Sequence, residues 1–223
     1  SRIPVAVQMP AGVSFQSIAA GSLHTCALTT TGQAYCWGYG GSGQLGNNST
    51  AVSRIPVAVQ MPAGVSFQSI AAGYAHTCAL TTTGQAYCWG YGDRLGNNST
   101  TNSLTPVAVQ MPAGVSFQSI AAGSLHTCAL TTTGQAYCWG YGGSGQLGNN
   151  STAVSRIPVA VQMPAGVSFQ FIAAGYYHTC ALTNEGKAYC WGQGGSGRLG
   201  NNSTTDSRIP VAVQMPAGVS FQS

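Results

Sequence analysis

The stretch GSLHTCALTTTGQAYCWG occupies Gly21–Gly38 and recurs with few changes along the 223-residue chain. Its further copies are Gly73–Gly90, Gly123–Gly140 and Gly175–Gly192. The copies follow one another with a period of about 50 residues, which is typical of arrays in which one supersecondary unit packs against its neighbours. The chain is therefore expected to present repeated, nearly identical surfaces, which argues against a single catalytic centre.

A second repeated stretch, SRIPVAVQMPAGVSFQS, links the copies of the first. It stands at Ser1–Ser17, Ser53–Ser69 and Ser207–Ser223, with variants at Ser103–Ser119 and Ser155–Phe171. Together the two stretches define a single repeat domain with repeats at 1–52, 53–102, 103–154 and 155–206 and a partial repeat at 207–223. The chain begins within a repeat, as expected of a mature product or of an excerpt from a longer array.

Each repeat contains short strand-like runs separated by Gly, Pro and Asn. In the first repeat the runs are Val5–Gln8, Phe15–Ala19, His24–Thr29 and Gln33–Gly38. Such spacing predicts an all-β fold, and four antiparallel strands repeated radially form the blade of a β-propeller. We expect four four-stranded blades plus a partial fifth, in a ring that is incomplete or completed by oligomerisation. An open β-solenoid is the alternative architecture.

The turn LTTTGQA fixes the register of one hairpin in each repeat. Gly32 suits the left-handed last position of a three-residue loop, which places Thr29 opposite Gln33. Counting back along the strands, Cys26 then faces Cys36 at a non-hydrogen-bonded position, where side chains approach closely. The same register pairs the remaining cysteines, Cys78 with Cys88, Cys128 with Cys138, and Cys180 with Cys190.

The eight cysteines allow three interpretations. Four disulfides within hairpins are favoured, because the partners face each other and an even count suits an oxidising, extracellular or cell-surface environment. Reduced cysteines could instead act as small core residues. A metal site is the third interpretation, since His24 and Cys26 share a strand face with Cys36 opposite, but a fourth ligand is missing.

Histidines and aromatic residues recur in every repeat at fixed positions. His24, His76, His126 and His178 each begin a strand next to threonine, which is typical of buried residues with a structural hydrogen bond. Tyr35 and Trp37 lie on the strand face opposite Cys36, and we expect these aromatic side chains to pack between adjacent blades.

Composition excludes several classes of function. The chain has seven basic and three acidic residues, a net charge of +4, and no basic cluster that would predict nucleic-acid binding. No apolar stretch is long enough to span a membrane as a helix. The few carboxylates do not recur between repeats, and no phosphate-binding Gly-rich loop is present. We therefore predict a protein that is not an enzyme and needs no cofactor or metal.

The pattern G-x-x-H-T-C-A-L-T-x-x-G-x-x-Y-C-W-G, followed by G-Q-L-G and a P-V-x-V strand, resembles the regulator of chromosome condensation (RCC1-like) repeat. The resemblance covers the whole chain and is closest to the bacterial, secreted, cysteine-containing type. It implies a β-propeller, usually of seven blades, in which the repeated histidine belongs to the repeat signature. A propeller hosts many unrelated activities, so the resemblance specifies the fold more than the function.

These observations predict a non-enzymatic extracellular scaffold that presents surfaces for protein binding or self-assembly. Loops on a rigid scaffold usually carry recognition, and the repeats differ mainly in two loops. Candidate binding residues in these loops are Tyr74, Tyr176, Tyr177, Asp93, Arg94 and Arg198. One alternative is a structural subunit of a filament or of a strand-exchanged oligomer, suggested by the identical ends and the low charge. Another is a secreted inhibitor-like or exchange-factor-like propeller with one protein partner.

Overall fold

The computed structural model describes residues 3–221, and its strands form four antiparallel sheets of four strands each. In each sheet the strands follow one another in chain order, each paired with the next. Each sheet is one propeller blade, so the predicted all-β propeller architecture is confirmed. Within residues 3–221 no helix is long and apolar enough to cross a membrane.

The blades have closely similar strand boundaries. The first contains β1 (Phe15–Ala20), β2 (His24–Thr29), β3 (Ala34–Gly38) and β4 (Ser53–Ala58). The second contains β5 (Ser69–Ala72), β6 (His76–Leu80), β7 (Ala86–Gly90) and β8 (Ser103–Ala108). The third contains β9 (Phe117–Ala122), β10 (His126–Thr131), β11 (Ala136–Gly140) and β12 (Ser155–Ala160). The fourth contains β13 (Phe169–Ala174), β14 (His178–Thr183), β15 (Ala188–Gly192) and β16 (Ser207–Ala212). Short 3-10 helices span Gly92–Arg94 and Gly195–Gly197.

The predicted register of the central hairpin is confirmed. The Thr29 amide donates to the Gln33 carbonyl at 3.0 Å, and Gly32 has a φ of +81°. A Cβ atom at Gly32 would lie 2.7 Å from the Phe67 carbonyl oxygen, so both backbone conformation and space require glycine. Cys26 lies opposite Cys36 with a Cα–Cα distance of 4.1 Å. Disulfides join this pair and its three counterparts.

The blades are offset from the sequence repeats, because each blade takes its fourth strand from the following repeat. In the first blade Tyr35 pairs with Ala58, so the segment after the long loop completes the sheet. The predicted strand Val5–Gln8 is therefore wrong: in residues 3–221 no blade precedes the first one, and this segment has no third strand to pair with. The partial repeat at 207–223 provides β16 of the fourth blade.

The core lies between blades. Cys26, Leu28 and Val59 of the first blade pack with Phe67 and Trp89 of the second, and all five are at most 3% exposed. Equivalent clusters join the second blade to the third and the third to the fourth. The predicted packing of the tryptophans between blades is thus confirmed at these three contacts between adjacent blades.

Candidate protein-binding face

Two loops of every blade meet at one end of the sheets. The loop from the first to the second strand carries Leu23 in the first blade, and the residue after the third strand is Tyr39. The Tyr39 amide donates to the Leu23 carbonyl at 2.8 Å, and the Tyr91 amide donates to the Ala75 carbonyl at 2.9 Å in the second blade. Because strands on either side are antiparallel, both loops of each blade are displayed on the same side of the molecule.

These loops assemble a group of aromatic side chains that we call the tyrosine face: Tyr39, Tyr74, Tyr91, Tyr141, Tyr176 and Tyr177. All except Tyr177 are 40–49% exposed. The rings of Tyr176 and Tyr177 lie 4.4 Å apart between centroids, and Tyr177 meets Tyr141 edge-on at 6.3 Å. A contiguous exposed aromatic surface of this kind is characteristic of interaction sites.

A cavity of about 540 Å³ opens in the tyrosine face. All four blades contribute to it, and its lining includes Leu23, Tyr39, Tyr74, Tyr91, Arg94, Leu125 and Tyr176. Most of these side chains are apolar or aromatic, and Arg94 is the charged residue among them. The cavity combines aromatic and aliphatic contact surface with polar groups, among them Ser42, the tyrosine hydroxyls and the Arg94 guanidinium, which can orient a ligand.

Arg94 supplies a cation that has no carboxylate partner within residues 3–221. Its guanidinium lies over the ring of Tyr91, 4.5 Å from the ring centroid. Burial lowers the pKa of Arg94, and the nearby Tyr91 and Asp93 partly counteract this effect. A guanidinium remains charged under these conditions, so the cavity offers a positive group that is partly withdrawn from water.

The structure brings together only part of the predicted binding set. Tyr74, Arg94 and Tyr176 line the same cavity, and Tyr177 packs beside Tyr176. Asp93 instead forms an ion pair with Arg156 at 3.1 Å.

Arg198 lies outside the cavity lining and is held by its own loop. It donates to the Gln193 side chain at 2.7 Å and to the Gly195 carbonyl at 2.8 Å.

Sequence reasoning missed Tyr39, Tyr91 and Tyr141. Their signal was the tyrosine that follows Cys-Trp-Gly in three repeats and is replaced by Gln193 in the fourth.

Three of the four repeated histidines, His24, His76 and His126, form structural hydrogen bonds at the contacts between adjacent blades. His24 Nε2 lies 2.7 Å from Thr77 Oγ1 of the next blade, and burial lowers the pKa of His24 to about 4. Burial, with smaller contributions from His178 and Arg94, lowers the pKa of His126 to about 3. The metal interpretation does not fit, because the cysteine sulfurs are bonded to each other and residues 3–221 contain no cluster of three metal-ligating side chains.

Comparisons with known proteins agree with this architecture. A family model described as the RCC1-like domain matches residues 1–223. The ultraviolet-B receptor UVR8 of Arabidopsis thaliana is 33% identical over 215 residues, which cover 96% of this chain and 49% of the receptor. The chain thus spans about half the length of this relative.

Two solved structures show the same fold. Human WBSCR16 superposes with a TM-score of 0.83 at 25% identity, covering 92% of this chain and 54% of that one. Prp20p of Saccharomyces cerevisiae, described with its binding to Gsp1p and histones, also gives 0.83, at 22% identity and with 95% and 53% coverage. Since the family model covers all four blades, the chain belongs to the RCC1-like domain family.

Proposed function

We propose that this protein is a non-enzymatic extracellular scaffold that binds a protein partner through the tyrosine face. The observation that carries the proposal is the cavity that Tyr74, Tyr91 and Tyr176 line together with Arg94, whose guanidinium has no carboxylate partner in the described part of the chain. Tyrosine and arginine are the residue types that most often dominate binding energy at protein interfaces. Both loops are held by the sheets beneath them, so the face is presented without a large ordering cost.

The chemistry of the cavity favours a particular partner segment. A carboxylate accepting from the Arg94 guanidinium would form a charge-assisted hydrogen bond in a partly desolvated site. The surrounding rings and Leu125 would contact apolar side chains next to that carboxylate. The expected partner is therefore a protein or peptide that presents an acidic residue flanked by aromatic or aliphatic residues.

The comparison with Prp20p supports the mode of action only. That protein has this fold and is described as binding Gsp1p and histones. Its example is consistent with a blade array that recognises proteins.

The extracellular location is supported by the disulfides. No cysteine within residues 3–221 is free, and all eight are paired within hairpins. Such pairing persists in oxidising compartments and is rare where glutathione keeps thiols reduced. Thiol titration of the protein isolated from its source should find no free thiol, whereas eight reactive thiols would contradict an oxidising location.

Binding of selected peptides tests the proposal. Peptides are selected from a random library on the 223-residue chain, and their affinity is then measured for Arg94→Gln and Tyr176→Ser. We expect the selected peptides to share a carboxylate beside apolar residues and to bind each variant about tenfold or more weakly, a loss of about 1.4 kcal/mol. The control is Ile157→Glu, which changes an exposed residue of the outer strand β12. If the peptides bind the two variants as tightly as they bind the parent chain, the tyrosine face is not the binding site.

Self-assembly is a second candidate function. It is favoured by a separate observation, since only ten of the 223 residues are charged and the surface offers little electrostatic repulsion between copies.

A further inference from the structure

The cation of the tyrosine face lies in a loop that is two residues shorter than its counterparts in the other blades. The loop after the third strand reads YGDRLG at 91–96 in the second blade and YGGSGQLG at 39–46 in the first. Both loops contain a fully buried leucine, Leu95 in the short loop and Leu45 in the long one. Arg94 and Gln44 therefore occupy equivalent positions, directly before that leucine.

The backbone at this position has the same role in both loops. The Gln44 carbonyl accepts from the Thr77 hydroxyl at 2.8 Å and from Trp89 Nε1 at 2.9 Å, and both donors belong to the next blade. The Arg94 carbonyl accepts in the same way from Trp139 Nε1 at 3.0 Å. The difference between the loops therefore concerns the side chain at this position and not the backbone.

The long loops bind the side chain at this position themselves. Gln44 Oε1 accepts from the Ser42 amide at 2.9 Å, and Gln146 makes the same bond in the third blade. An arginine is held as well, because Arg198 Nε donates to the Gly195 carbonyl of its own loop at 2.8 Å. Each of these backbone partners lies two or three residues before the side chain that it holds.

In the short loop the corresponding backbone groups bind other atoms. The Gly92 amide donates to Asn102 Oδ1 at 3.0 Å, and the Tyr91 carbonyl accepts from the Arg94 amide at 3.3 Å. The Arg94 guanidinium instead lies over the Tyr91 ring in the wall of the cavity, 4.5 Å from the ring centroid. The length of the loop, and not the residue type alone, thus accounts for a cation in the tyrosine face.

The carboxylate next to this guanidinium in the chain is directed elsewhere. Asp93 precedes Arg94 and is close enough to raise the pKa of Arg94. A carboxylate bound to Arg94 would occupy the place that the carboxylate of a partner needs. Asp93 Oδ1 instead accepts from Arg156 Nε at 3.1 Å, and Arg156 belongs to the outer strand β12 of the third blade. The ion pair therefore draws the Asp93 carboxylate toward the next blade.

This ion pair is not a general requirement of the fold. The Arg156 and Asp93 side chains are 43% and 39% exposed, and pairs so open to water add little to the free energy of unfolding. Arg54 and Arg208 occupy the position of Arg156 on β4 and β16, and within residues 3–221 neither forms an ion pair. Only the arginine that faces the Arg94 loop has a carboxylate partner in the described part of the chain.

We propose that Arg156 is a positioning residue of the tyrosine face, which keeps Arg94 available to the carboxylate of a partner by holding Asp93 away from it. The inference rests on the proposed function, because it concerns the same cavity and a partner of the same chemistry. Without Arg156, the Asp93 carboxylate is free to turn toward Arg94. It would then compete with the partner as part of the same molecule, and intramolecular competition is effective because the competitor is always close.

A pair of capped tripeptides provides the test, acetyl-Phe-Glu-Phe-amide and acetyl-Phe-Gln-Phe-amide, which differ in charge but hardly in size. NMR titration of the tyrosine ring signals of the 223-residue chain gives both affinities, and their ratio is the readout. A general disturbance of the face weakens both peptides alike, so the ratio reports the availability of Arg94. The variants are Arg156→Gln, Asp93→Asn and their combination. Arg54→Gln is the matched control, because it removes the same charge at the same position of another blade.

We expect the parent chain to prefer the glutamate peptide about tenfold, as one charge-assisted hydrogen bond in a partly desolvated site allows. Arg156→Gln should lower this preference by about threefold or more, because Asp93 then competes for Arg94. Asp93→Asn and Arg54→Gln should leave the preference close to that of the parent chain. The combined variant should restore it, since no carboxylate is left to turn toward Arg94.

An unchanged preference in Arg156→Gln would overturn the inference. So would equal and opposite effects of Arg156→Gln and Asp93→Asn, because such a pattern reports only the net charge near the cavity. Both results leave the proposed function intact, since the parent chain still prefers the glutamate peptide. A parent chain that binds the two peptides equally well would instead refute the proposed role of Arg94, and the inference with it.

Discussion

At the scale of single residues, the joint between blades is a short chain of hydrogen bonds with a defined direction. The hydroxyl hydrogen of Thr77 is used by the Gln44 carbonyl, so the threonine oxygen can only accept from His24 Nε2. The histidine is therefore the neutral tautomer with its proton on Nε2. Burial, which lowers the pKa of His24 to about 4, keeps it in that state at neutral pH.

Removal of the middle member of this chain should destabilise the protein. Thr77→Val keeps the side-chain volume, but it leaves the buried His24 Nε2 donor without an acceptor. We expect the free energy of unfolding to fall by about 1–3 kcal/mol, measured by urea denaturation at a concentration where the chain is monomeric. The matched control is Thr25→Val, whose hydroxyl makes no hydrogen bond to another described residue within 3–221. Equal losses in the two variants would contradict the role of the bond.

At the scale of elements, the hairpin and its disulfide are a local unit, whereas burial of that unit depends on the neighbouring blade. Cys78 and Cys88 are fully buried because a third blade covers them. In the fourth blade Cys180 is partly exposed, and Cys190 is 5% exposed. The four disulfides therefore have equivalent positions in their hairpins but different access to solvent.

Access should decide the order in which the disulfides are reduced. Thiol–disulfide exchange requires an attacking thiolate to reach a sulfur atom, so the Cys180–Cys190 bond should be reduced first. Limited reduction of the folded monomer, followed by alkylation and peptide mass analysis, measures the order. The Cys26–Cys36 bond is the internal control, since both sulfurs are fully buried. Simultaneous reduction of all four bonds would show that global unfolding, and not local access, controls the reaction.

At the scale of the whole molecule, three histidines that bridge blades make stability sensitive to acid. Burial lowers the pKa of His24 to about 4 and, more strongly, that of His126 to about 3; the pKa of His76 is also lowered. Above pH 6.5 these groups are neutral in both folded and unfolded chains, so they do not change stability with pH. Below pH 6.5 the unfolded chain takes up protons that the folded chain excludes, which favours unfolding.

The free energy of unfolding should thus fall as the pH decreases from 6.5 to about 4. Each buried histidine contributes about 1.4 kcal/mol per pH unit, and the three joints act together. Urea denaturation at a series of pH values measures the slope. His126→Gln should reduce the slope of the free energy of unfolding against pH by the contribution of one histidine. His178→Gln should change the slope less, because His178 is only partly buried. A stability that is constant over this range would contradict the buried neutral histidines.

The sequence by itself determined whatever depends on neighbouring residues. Gly32 fixed the turn, the turn fixed the pairing of Thr29 with Gln33, and the pairing brought Cys26 to Cys36. The repeat period and the signature around His24 then gave the blade and the family, because a repeated local pattern forms the same local structure at each occurrence.

Only the tertiary structure decided which parts of different repeats meet. The strand predicted at Val5–Gln8 failed because its position depends on a preceding third strand, which no local pattern provides. Tyr39 joins Tyr74 and Tyr176 in one cavity only after four blades are placed side by side. Such contacts depend on spatial arrangement and therefore leave no local signal in the sequence.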